Sequence, residues 1–140
     1  MKKKFAAFFL LLIIASLFFS ACDGPNSASW TMVSNNREQT LNQGFSISVG
    51  SARSGTRNRT FNLNDSQLSN LFVESTIESG SLVLTISQNG ELDGSEVVID
   101  LSGNFEGHID TSSLSAGNIR LSFRYEDNVR NSNTIVTWRE

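Results

Sequence analysis

The residues of this 140-residue chain that could do chemistry are few: one histidine, one cysteine, a group of arginines and a group of acids. His108 is the only imidazole, so a Ser-His-Asp relay would have to be built on it, with Asp110 two residues on and one of many serines. The chain has no G-x-S-x-G elbow to present such a serine. Alternation with Ile109 turns His108 toward solvent, away from any buried partner. One imidazole and one thiol cannot close a transition-metal site, so no metal and no cofactor are expected. The chain reads as a non-enzyme.

Two polar segments remain. In "NGELDGSE", Asn89, Glu91, Asp93 and Glu96 offer oxygen ligands for a hard cation, but the D-x-D-x-D-G spacing is missing. Asn-Gly and Asp-Gly are also what a tight turn needs, and turn chemistry is the better account. In "SARSGTRNRT", Arg53, Arg57 and Arg59 lie within seven residues. Guanidinium forks suit phosphate, sulfate or carboxylate, as on lipid headgroups or an acidic wall polymer. Arg57 and Arg59 share parity with Phe61 and Leu63, so a strand through all four would drive charge into the core. The strand is therefore expected to begin near Thr60, with the arginines in a loop, where solvated charge is the plainer reading.

The cysteine has the most informative surroundings. Lys2, Lys3 and Lys4 precede an uncharged run from Phe5 to Phe19, 15 residues long, followed by Ser20 and Ala21. A positive start, an apolar core and small residues are the pattern of a secretory signal. The run is short of the roughly 20 residues that span a bilayer. Residues 19 to 22, "FSAC", resemble the lipobox of bacterial lipoproteins, with Phe19 where Leu is commonest. The resemblance implies cleavage of the Ala21–Cys22 bond and attachment of diacylglycerol to the Cys22 thiol, making covalent lipid the only added group. Two or more acyl chains hold a protein stably on a membrane where one does not. Asp23 resembles the inner-membrane retention signal of enteric Gram-negative lipoproteins, an inference void in a Gram-positive source.

Loss of the signal removes every lysine, leaving eight arginines against 14 acidic residues and a formal charge of −6. That balance argues against nucleic acid as a partner. Residues 23 to 29, "DGPNSAS", hold the only proline and read as a short tether, reaching about 20 to 25 Å if extended. The expected organisation is a signal helix over residues 1–21, the lipidated cysteine and tether over 22–29, and one domain over 30–140.

From Trp30 onward the apolar period is two. Leu82, Leu84 and Ile86 alternate with Val83, Thr85 and Ser87; Ile119, Leu121, Phe123 and Tyr125 alternate with Arg120, Ser122, Arg124 and Glu126. Phe45-Ile47-Val49, Phe61-Leu63, Val97-Ile99-Leu101 and Val136-Trp138 repeat the pattern. Turn signals at Ser79-Gly80, Asn89-Gly90, Asp93-Gly94, Gly103-Asn104 and Ala116-Gly117-Asn118 separate the runs. The spacing predicts an all-β, antiparallel, jelly-roll-like β-sandwich of about eight strands, with Leu84, Ile99, Leu121, Phe123 and Trp138 buried. "NDSQLSNLF" is long enough for one helical turn.

The order "FNL", "LFVESTIESGSLVLTISQNGE", "GNFEGHIDTSSLSAGNIRLSFRYED" and a final "TIVTW" resembles small β-sandwich lipoproteins of Gram-positive bacteria. It is similar, more loosely, to pre-peptidase C-terminal domains. Both likenesses rest on spacing and turns, and imply fold and location without an activity. The expected function is a non-enzymatic binding module on the extracytoplasmic face of the membrane, held by its lipid anchor and reading an envelope glycan or protein. A structural envelope lipoprotein without a ligand is the alternative. Phe72, Val98 and Ile135 fall out of register with the core; grouped together they would mark a contact patch, and scattered they would favour the structural role.

Overall fold

Period-two alternation becomes nine antiparallel strands in the computed structural model of the chain, which describes residues 28–31 and 33–139. In chain order they are β1 (Ala28–Thr31), β2 (Ser34–Leu41), β3 (Gly44–Ala52), β4 (Ser54–Leu63), β5 (Leu71–Thr76), β6 (Ser79–Gln88), β7 (Val97–Asp100), β8 (Phe105–His108) and β9 (Gly117–Trp138). Among the described residues a single helix, α1 (Asp65–Ser69), joins β4 to β5. The expected signal segment, Cys22 and the Ala21–Cys22 bond lie outside the described residues.

The 22-residue β9 organises the rest. Its first half pairs with β4 and β6, its second half with β3 and β5. Outer strands complete each half: β1 on β4 and β7 on β6 in one, β2 on β3 and β8 on β5 in the other. The result is an antiparallel β-sandwich whose two sheets share one strand. One sheet runs β1-β4-β9-β6-β7, the other β2-β3-β9-β5-β8.

The crease between the sheets falls where three neighbouring chains break step together. Arg53 separates β3 from β4, Ile77 and Glu78 separate β5 from β6, and β9 bends between Tyr125 and Ser132. Backbone bonds from Asn128 N to the Arg53 carbonyl (3.2 Å) and from Glu78 N to the Arg130 carbonyl (3.1 Å) hold the crease. In β9 the bend uses positive φ at Asp127, Asn128 and Asn131, residue types that tolerate the left-handed region. The inward residues are odd-numbered up to Val129 and even-numbered from Ser132. An extra residue at the bend thus keeps apolar side chains facing inward on both sheets.

Inside, Leu82, Leu84, Ile86, Ile119, Leu121 and Phe123 from one sheet meet Phe45, Ile47, Leu71, Val73 and Val136 from the other. Phe45 contacts Phe123 at 5.9 Å and Phe61 at 5.8 Å between ring centroids, and Phe61 contacts Trp138 at 4.8 Å. Tilted aromatic pairs of this kind add to the area they bury. The helix expected in "NDSQLSNLF" is α1: Asn64 Oδ1 accepts from Gln67 N and Gln67 Oε1 accepts from Asn64 N, a reciprocal cap that frees Leu68 to be buried.

Several expectations need correction. Arg57 and Arg59 are not in a loop, because β4 begins at Ser54 and carries both inward. Glu38 on β2 makes this tolerable by pairing with both guanidiniums. Ser79-Gly80 is not a hairpin turn; it starts β6 at a bulge against β9. Ile99 is half-buried against the core, on the outer strand β7, whereas Leu84, Leu121, Phe123 and Trp138 are buried. Strand β1 starts at Ala28, two residues before the expected boundary at Trp30.

Candidate ligand-binding surface

Alternation that buries Leu71 and Val73 turns Phe72 out onto the open face of the second sheet. There it is flanked by Thr137 of β9 and His108 of β8, its ladder partners. The rings of Phe72 and His108 meet edge to face at 4.9 Å. Ile135, opposite Glu74, lies diagonally beside Phe72 on the same face. Asn70 and Arg139 complete a shallow cavity of about 220 Å³ with Phe72, His108 and Thr137.

Phe72 differs in placement from every other described aromatic residue. Trp30, Phe45, Phe61, Phe105, Phe123, Tyr125 and Trp138 all belong to the core or pack directly on it, and Phe72 does not. The face around it is mixed: one aromatic ring, one imidazole and one aliphatic side chain, with an amide, a hydroxyl and a guanidinium at the margin. Such a surface suits a ligand with an apolar face and polar edges. Of the three out-of-register residues, Phe72 and Ile135 are grouped here. Val98 is separate, 63% exposed beside Thr85 on the other sheet. Parity supplied the signal for Phe72 and Ile135; their adjacency depended on β5 pairing with β9, which no local pattern announces.

Apart from His108, the chemistry-bearing residues are engaged elsewhere. His108 contacts Phe72, while the Asp110 carboxylate accepts from Ser112 N at 3.0 Å and is held below the usual carboxylate range by that serine. In the β6–β7 loop, Asp93 accepts from Ser95 N (3.0 Å) and Ser95 Oγ (2.5 Å), which likewise lowers its pKa, and Glu96 accepts from Gly94 N (2.8 Å). Those carboxylates shape a turn, and among the described residues no group of three or more His, Cys, Asp or Glu is arranged to hold a metal.

The three arginines are divided. Arg53 is exposed at the crease, in an open cavity that it lines with Glu78, Asn128 and Arg130. Arg57 and Arg59 face the interior edge, where Arg57 Nη2 donates to Glu38 Oε2 at 2.8 Å and Arg59 Nη2 also pairs with Glu38. Arg59 further lies over the Phe45 ring, 5.8 Å from its centroid. Behind this group, burial raises the pKa of the Tyr125 phenol well above the usual range; Glu38 acts in the same direction and the facing Ser132 hydroxyl offsets part of the effect.

No protein-family model matches the chain, and no curated protein matches it. Solved structures do. The chain is similar to the carbohydrate-binding module TmCBM61, solved in complex with β-1,4-galactotriose, at 14% identity and a TM-score of 0.50 over 84% of this chain and 90% of that one. A CBM4 structure is similar at 12% identity and a TM-score of 0.39, covering 84% and 90%. The family 11 carbohydrate-binding module from Clostridium thermocellum, in complex with a β-1,3-1,4-mixed-linked tetrasaccharide, is similar at 14% identity and a TM-score of 0.35, covering 86% and 89%. The first of these likenesses bears on the fold alone: the β-sandwich built here around β9 has the same kind of architecture as that module.

Proposed function

We propose that the chain is a non-enzymatic carbohydrate-binding module, anchored through lipid on Cys22 at the extracytoplasmic face of the membrane, that stacks a sugar ring on Phe72 and His108. The observation that carries the reading is the outward placement of Phe72, beside His108 and clear of the core. A pyranose has an apolar C–H face and a rim of hydroxyls. Phe72 and Ile135 match the first, while Asn70, Thr137 and Arg139 supply donors and acceptors for the second. The similarity to a module solved with β-1,4-galactotriose supports this choice of ligand class and provides a first probe. The FSAC sequence supports the anchor.

The test is calorimetric titration of the chain with β-1,4-galactotriose and a panel of neutral oligosaccharides, repeated on Phe72→Ala. Binding of at least one member, weakened about 10-fold or more by the substitution with the thermal midpoint unchanged, is expected; aromatic contacts with a stacked ring are worth on the order of 1 kcal/mol and upward. Absence of binding across the panel, or equal binding by the variant, would overturn the reading.

A further inference from the structure

The open face of the other sheet carries a second groove, which shares no residue with the Phe72 platform. Its floor follows from the register. Asn58 of β4, Ser122 of β9 and Thr85 of β6 form one cross-strand row; Thr60, Arg120 and Ser87 form the next; Thr56, Arg124 and Val83 form the third. Most of these floor side chains end in a hydroxyl or an amide, and the central strand adds two guanidiniums. The groove encloses about 240 Å³.

One wall is the loop from Asn89 to Glu96, which doubles back over the sheet. Its turn, with φ of 52° at Asn89 and 77° at Gly90, brings the backbone down onto Arg120. A Cβ at residue 90 would stand 2.4 Å from Arg120 Cζ and 2.6 Å from its Nε and Nη1, so the guanidinium lies directly under this backbone, while the positive φ is what favours glycine. The covering loop explains why Ser87, on the outer face of the sheet, is only 2% exposed. Leu92 stands at the rim, 73% exposed.

The clamp leaves Arg120 in an unusual state. Its Nε is buried with no hydrogen-bond partner, and among the described residues no carboxylate lies within ion-pair distance of it. The neighbouring Arg124 is answered by Glu126 at 3.4 Å. Of the loop's acids, Asp93 and Glu96 turn their oxygens to the backbone of their own loop. A buried donor without an acceptor carries a free-energy cost, and in native proteins such groups call for an explanation. The buried Nε is itself closed to a ligand oxygen, so an anion in the groove would meet the Nη edge of Arg120, which no carboxylate of the described residues pairs with, and fork onto it end-on.

We propose that this groove is a second binding site, for an anionic saccharide whose acidic group meets Arg120 and whose hydroxyls lie along the rows of Asn58, Thr85 and Ser122. The hydroxyl floor extends over three strands, farther than a bare phosphate or sulfate would use. The mature chain's charge of −6 leaves only local cations to attract such a ligand. The site is independent of the Phe72 platform and stands or falls without it.

The experiment is an NMR titration of the ¹⁵N-labelled full-length chain in detergent with trigalacturonate, with its methyl-esterified counterpart and with sulfate. Trigalacturonate is expected to shift the backbone amides of Thr85 and Ser122 and the Nε–H resonance of Arg120, and to bind about 10-fold or more tightly than the neutral ester. Arg120→Gln should abolish this preference, and Thr85→Val, which preserves volume on the sheet face, should weaken binding without unfolding the chain. Phe72→Ala should leave it intact, so failure here and failure of the platform are separable. Absence of shifts at these positions would overturn the proposal, as would equal binding of the ester. Sulfate producing the same shifts at the same concentration would also overturn it, by reducing the groove to a simple anion contact.

Discussion

Arg57 and Glu38 face each other across the opening of the sandwich, one on β4 and the other on β2, and through them the two sheets are tied by charge where apolar packing ends. Arg59 joins the same carboxylate, so one acid serves two cations. All three side chains are between 14% and 21% exposed, too buried for hydration to replace a missing partner. Phe45 beneath Arg59 and Tyr125 close by show how near the group is to the core.

Glu38→Gln should therefore destabilise the fold by about 2 to 3 kcal/mol, below the full range for a deeply buried pair because some solvent remains. Replacing all three residues by methionine should recover most of that loss, since no charge is then left without a counterpart. Urea unfolding of the single and triple variants is the measurement. A triple variant less stable than the single one would refute the account.

Gly80 supplies a backbone test of the crease. It has φ of +94°, and an added Cβ would lie 2.6 Å from the Val129 Cα, a backbone atom that cannot rotate away. Gly94 has a similar φ of +91°, with nothing within 4 Å of the added atom. Gly80→Ala should cost clearly more than about 1 kcal/mol, and Gly94→Ala about that amount, from conformation alone. Thermal melts of the pair in parallel decide it; equal losses would mean that the close approach at the crease has no energetic weight.

Much of this architecture was legible in the sequence because burial in a strand repeats every two residues. Leu82-Leu84-Ile86 and Ile119 to Tyr125 needed nothing else. The same rule put Arg57 and Arg59 on the inward face, and the error lay in treating that as impossible. The carboxylate that neutralises them is 19 and 21 residues away on another strand, beyond the reach of a local argument. The alternating runs Ile119 to Tyr125 and Val136-Trp138 stood apart for a similar reason: only the ladders on either side carry the chain across Asp127, Asn128 and Asn131 as one bent strand. The candidate binding faces were the least legible, since Phe72 and Ile135, or Arg120 and Thr85, come together only through pairings of distant segments.

The proposed anchor makes a separate prediction, from the lipobox-like residues 19 to 22. Cys22→Ala removes the thiol that would carry diacylglycerol, so the variant should persist as an unprocessed precursor without lipid. Metabolic labelling with a fatty acid, followed by gel mobility, reads both effects. Label retained by the variant would sink the proposal of an anchor at Cys22, whatever the sandwich binds.

Tyr125 is the only tyrosine, and its phenol is the only one that can titrate. It is fully buried, and neither its hydroxyl nor that of Ser132 reaches full hydrogen-bond geometry. Burial, reinforced by Glu38, raises its pKa above the ordinary 10.0. The folded chain therefore holds this proton after the unfolded chain has released it. The associated stability is complete below pH 10.0 and declines as the pH rises toward the folded-state pKa. Since every lysine lies in residues 2 to 4, the domain lacks the side chains that usually obscure this range. Tyr125→Phe should lie within about 1 kcal/mol of the parent at neutral pH, because the hydroxyl it removes makes no full hydrogen bond. Above pH 10.0 it should lose stability less steeply than the parent. Unfolding curves across the alkaline range, with the near-ultraviolet tyrosinate band followed in the parent, make the comparison. Superimposable pH profiles, or tyrosinate forming in the folded parent near the ordinary phenol pKa, would show that Tyr125 is open to water at the mouth of the sandwich.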